Sequence, residues 1–91
     1  MVPRLETYRS IGPFDSETLP KGLLREHRLK PGSWARLSVH SGSVNFHWDD
    51  VSGGKKEHLE AEGSVLVPPQ VPHHLEIDGP FLLTIDFKRE I

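Results

Sequence analysis

Glycine and proline recur so often along this chain that no long helix has room to form. Eight of each are spread through 91 residues, and each tends to break a helical ladder or open a turn. The stretches between them alternate apolar and polar residues, the period of a half-buried strand. Trp34 to His40 sets Ala35, Leu37 and Val39 on one face, and Ser43 to Trp48 sets Val44, Phe46 and Trp48 against Asn45 and His47. Phe81 to Phe87 carries Phe81, Leu83, Ile85 and Phe87 on one side, with Leu82, Thr84 and Asp86 on the other. Short strands joined by turn chemistry predict an all-β barrel or sandwich.

The turn residues divide the chain further. Glu6 to Arg9 reads as a short edge strand, ended by Gly12-Pro13, and Pro20 stops any helix begun at Asp15 to Leu19 after one turn. Leu23 to Leu29 alternates, with Leu23, Arg25, His27 and Leu29 sharing a strand face. Lys30-Pro31-Gly32 and Asp78-Gly79-Pro80 read as turns, Ser41-Gly42 as a tight hairpin, Asp49 to Gly54 as a loop and Lys55 to Glu60 as an exposed edge strand. The most informative segment is Gly63 to Glu76, GSVLVPPQVPHHLE. Val65 to Val67 suits a buried strand, Pro68 and Pro69 end it, and Pro72 stiffens the approach to His73 and His74. Rigid placement of imidazoles is what a metal ligand or a general base requires.

Length allows one domain, residues 1–91, with a modest core that a homodimer interface would extend. There is no cysteine, so disulfides, thiolate metal sites and thiol nucleophiles are excluded. No signal peptide or membrane-length apolar run is visible, which makes a cytoplasmic protein without membrane partners the expectation. A net charge of −2 with no basic stripe gives no support for nucleic-acid binding.

Gly63, Pro69 and the histidine at 73 or 74 together are similar to the second cupin motif, with Val71 where that motif usually has glycine. Of the first motif only Arg25-x-His27 remains. The segments LLREHRLKPGSWARLSVHSG, VPPQVPHHLE and TIDF span roughly residues 21 to 88. They more closely resemble the small cupins related to tellurite-resistance proteins, the TehB-like and YeaR-like domains, which occur alone or ahead of a methyltransferase. The resemblance implies a cupin-like double-stranded β-helix, a jelly-roll barrel, with a possible metal inside. It does not imply a defined activity, and catalysis is left open.

Period-two alternation puts His73 with Leu75 and Ile77, facing inward, and His74 with Glu76 and Asp78, facing outward. His27 is inward by the same argument. The TIDF match adds Asp86, so the expected metal set is His27, His73 and Asp86, with Glu76 and His47 in reserve. Two imidazoles and a carboxylate would hold a divalent ion such as Zn, Fe, Ni or Mn with open positions. The same residues also suit other roles. His27 and His73 could be buried for packing alone, Asp86 could pair with Lys88 or Arg25, and His40, His47, His58 and His74 fit an exposed surface. Trp34, Phe46 and Trp48 suit core packing. The alternative function is a metal-free module binding a small molecule or anion, with Arg25 and Arg36 supplying charge.

Overall fold

The computed structural model describes residues 3–50 and 54–91, so the centre of the expected Asp49 to Gly54 loop lies outside the described residues. Five strands form one antiparallel sheet: β1 (Leu5–Phe14), β2 (Ser33–Trp48), β3 (Lys55–Glu60), β4 (Ser64–Val67) and β5 (His73–Glu90). The strand path runs β1-β5-β2-β3, with β4 paired to β2 beside it. Among the described residues the sheet is not closed on itself. The only helix-like element among the described residues is a single 3-10 turn, Lys21–Leu24, and no helix there is long and apolar enough to cross a membrane.

β2 and β5 organise everything else. They pair from Ser33↔Arg89 at one end to Trp48↔His73 at the other. Along the far edge of β2, β4 takes Ala35–Ser38 and β3 takes Ser43–Trp48, while β1 covers the second half of β5. Both long strands bend midway, where the register shifts between Val39 and Ser41 and again between Gly42 and Val44. At the bend Gly42 has φ +69°, and a Cβ there would lie 1.9 Å from the carbonyl oxygen of Pro80. Only glycine lets the two backbones approach so closely.

The bend corrects two expectations. Ser41-Gly42 is not a hairpin and Asp78-Gly79-Pro80 is not a chain reversal; each lies inside one continuous strand. The two face each other, so the residues that suit a turn here produce bulges that curl both strands together. A third correction concerns Leu23 to Leu29. It is not a strand, because after the 3-10 turn only His27 makes a β-bridge. Ile77, expected to face inward with Leu75, is exposed, while other strand boundaries hold. Lys55–Glu60 is an edge strand, Ser64–Val67 stops at the prolines, and Lys30 accepts the Ser33 N–H at 3.2 Å across the Lys30-Pro31-Gly32 turn. The strand expected at Glu6 to Arg9 is longer, continuing through Gly12-Pro13 with a register shift.

The inner face of the curled sheet carries the core: Ala35, Leu37, Val39, Val44 and Phe46 from β2, and Leu75, Phe81, Leu83 and Ile85 from β5. Val65, Val67, Leu59 and Leu19 complete it. Each large side chain removed from water here contributes about 1.5–3 kcal/mol. Leu19 is delivered by a tight turn in which the Asp15 carboxylate accepts the N–H groups of Glu17 and Thr18, both at 2.9 Å. Those donors hold the Asp15 carboxyl below the usual carboxylate range.

Candidate functional site

His27 and His73 are brought together by their own backbones. Each N–H donates to the other's carbonyl at 2.9 Å, an antiparallel bridge between an irregular segment and the first residue of β5. Directly opposed residues in such a bridge project to the same side. The two rings accordingly meet edge to face, with centroids 4.2 Å apart. Gln70 N–H donates to the Leu29 carbonyl at 3.0 Å, which fastens the same two segments again beyond the proline turn.

The protonation pattern of the pair follows from geometry. His27 Nδ1 lies 2.8 Å from the Arg25 carbonyl and His73 Nδ1 lies 2.7 Å from the Val71 carbonyl. A carbonyl only accepts, so in each ring Nδ1 carries a hydrogen, and in the neutral imidazole Nε2 is then the nitrogen with the free lone pair. Burial lowers the pKa of His73 from the ordinary histidine value, and the neighbouring His27 pushes the same way. The Phe46 ring stacks on His73 at 5.4 Å with planes 15° apart, which fixes the imidazole's tilt.

Both histidines line a cavity of about 230 Å³ in the inner face of the sheet. Nine apolar residues form the rest of its wall, among them Leu37, Val67, Leu75 and Ile85, and no charged residue takes part. Leu23 and Leu29 flank His27 at the half-buried rim. The face shared by Leu23, His27 and Leu29 is thus met without a strand to produce it.

Of the three residues expected to share a metal, the structure brings together two. Asp86 sits between Ile85 and Phe87, which line the cavity, and so projects from the opposite face of β5. There it accepts the Ser10 hydroxyl at 2.6 Å. Arg36 also lies outside the cavity wall, donating to the Ser64 hydroxyl at 3.2 Å, and Arg25 contributes only its carbonyl to the pair. Among the described residues no group of three His, Cys, Asp or Glu side chains is arranged to hold a metal ion.

His47, Glu76 and His74, the outward residues, form part of a polar ladder on the other face. His47 and His74 are cross-strand partners whose rings lie parallel at 4.4 Å. His74 Nδ1 pairs with the Asp49 carboxylate at 2.7 Å and His47 Nε2 with Glu76 at 3.1 Å. The His47 contact is the main reason the exposed Glu76 carboxyl is held below its ordinary value. Asn45 beneath them donates to Glu76 at 3.2 Å and takes His58 Nδ1 on its oxygen at 2.8 Å. Parallel rings aim their in-plane lone pairs side by side, which does not converge on one ion.

A family model described as the TehB-like domain matches residues 9–83. The chain belongs to the TehB-like family. Two solved structures share the fold of this TehB-like domain. The crystal structure of TehB from Haemophilus influenzae superposes with a TM-score of 0.83 at 23% identity, over 94% of this chain and 32% of that one. A crystal structure of a protein from E. coli (strain K12) gives 0.84 at 28% identity, over 100% of this chain and 97% of that one. The TehB-like domain therefore spans about a third of the first relative and nearly all of the second. No curated protein matches it.

Proposed function

We propose that this domain is a cupin-type jelly roll acting as a binding module, and that His27 and His73 hold one divalent ion through their Nε2 atoms. The observation that carries the reading is the pair of Nδ1–H bonds to main-chain carbonyls. This is the arrangement that fixes tautomer and ring orientation in metal-ligating histidines and raises their basicity. Burial supports it by favouring the neutral imidazole, the form that ligates. A donor set of two imidazoles in an apolar wall suits Zn, Cu, Ni or Fe better than the oxygen-preferring Mn. With Asp86 on the far face, the remaining positions belong to water or to a bound molecule, and the ion would supply Lewis-acid polarisation of that molecule.

The family's link is to tellurite resistance. We place the domain in that setting as a sensor or ligand carrier and assign it no methyl-transfer chemistry, since it aligns with only 32% of the TehB chain. A second reading, a small-molecule module with no metal, is favoured by the cavity wall, which is almost wholly apolar.

Metal content of untagged protein, measured by plasma mass spectrometry beside His27→Ala and His73→Ala, tests the proposal. Near-stoichiometric metal in the parent and its loss in both variants is expected. A folded parent that takes up no ion after reloading would leave the metal-free reading.

A further inference from the structure

The cavity wall is specific about what it accepts. In the neutral imidazoles both Nε2 atoms are hydrogen-bond acceptors, because both Nδ1 hydrogens are already committed to carbonyls. No other lining side chain offers a polar hydrogen, and none is charged. An oxyanion entering this space would leave its water shell and find no donor to replace it. A pure hydrocarbon would fit the wall but cover the lone pairs of the two imidazoles without answering either.

The volume sets the size. A cavity of about 150 Å³ encloses benzene. The 230 Å³ here is about half as large again and suits a molecule of roughly 8–10 non-hydrogen atoms. Phe46, already stacked on His73, and Phe87 give the lining two aromatic rings, and the rest of it, the histidines apart, is aliphatic.

We infer that the cavity binds a small, uncharged, largely apolar molecule bearing one hydroxyl, of the phenol type, whose O–H is donated to one Nε2 of the His27–His73 pair. The inference rests on the proposed function only in placing the histidine pair at the ligand's polar end. It applies to the metal-free protein, and with an ion on the pair the same oxygen would take one of the ion's open positions. In the metal-free protein the oxyanion that the family's phenotype suggests is therefore not the ligand of this cavity.

Calorimetric titration of the full chain, metal-free and zinc-loaded, with 4-ethylphenol, ethylbenzene and tellurite separates the possibilities. In the metal-free protein 4-ethylphenol should bind about tenfold tighter than ethylbenzene, the value of one hydrogen bond, and tellurite should neither bind nor compete. Ala35→Leu, which adds side-chain volume to the cavity wall, should abolish 4-ethylphenol binding while zinc uptake persists. Should that variant not fold, Val67→Leu serves the same purpose. Equal affinity for ethylbenzene, competition by tellurite in the metal-free protein, or no binding by folded protein would each overturn the inference. Failure of the metal reading leaves a different signature: 4-ethylphenol still binds, and zinc does not.

Discussion

The crossing of β2 and β5 can be tested by adding a single methyl group at three glycines. At Gly32 φ is +81° and nothing lies within 4 Å of an added Cβ, so alanine there meets only the conformational penalty. That penalty is about 1–2 kcal/mol for an L-residue in the left-handed region. At Gly42 the same penalty applies, and the Cβ also meets the Pro80 oxygen at 1.9 Å and the Phe81 Cα at 2.9 Å. Bringing the first contact out to about 3.3 Å means moving backbone by more than an ångström. The Gly42↔Phe81 and Ser41↔Leu82 pairs are where that displacement falls. Each backbone hydrogen bond disturbed there is worth about 1 kcal/mol, and Phe81 is buried above them. Gly42→Ala should therefore cost about 3–5 kcal/mol in all. For a domain of this size that lowers Tm by roughly 15–30 °C. Gly22→Ala is the control, with no positive φ and an open surrounding, and should stay within about 0.5 kcal/mol of the parent. Urea and thermal unfolding of the three variants give the comparison. A Gly42→Ala protein no less stable than Gly32→Ala would refute the close crossing and the sheet curvature inferred from it.

Two further outcomes follow from the site. Asp86→Asn should keep the metal content and ligand affinity of the parent, since the carboxylate faces Ser10 across the sheet from the histidines; a loss of metal in that variant would return Asp86 to the coordination sphere. Burial lowers the folded-state pKa of His73, so between that value and the unfolded value near 6.5 the unfolded chain binds more protons. Metal-free protein should accordingly lose stability as pH falls below about 6.5, and His73→Gln should show a shallower loss when denaturation midpoints are compared at pH 7 and pH 5.

Period-two alternation carried most of what could be read in advance. It separated His73 from His74 and put Phe81, Leu83, Ile85 and Phe87 together on one face, because successive side chains of a strand alternate between its faces. The bends were harder to read. Ser41-Gly42 and Asp78-Gly79-Pro80 carry the residues of a turn, and a bulge demands the same backbone freedom. Only the partner strand decides between them. The Leu23 to Leu29 alternation likewise gave the right face for His27 through the wrong element. Asp86 entered from the resemblance, against the parity of its own strand, and the structure follows the parity. The His47–His74 stack was illegible, since it depends on a register between residues far apart in sequence.

The antiparallel pairing of β1 with β5 sets Leu5 beside Glu90. Force applied at these two residues, by a tether on either one, acts across the ladder and loads its hydrogen bonds singly, so the edge unzips from that end. No residue of β1 lines the cavity, and the His27–His73 bridge closes at the opposite end of β5. Mechanical load would peel away the outermost strand while the binding centre remained assembled, which makes β1 a sacrificial seam.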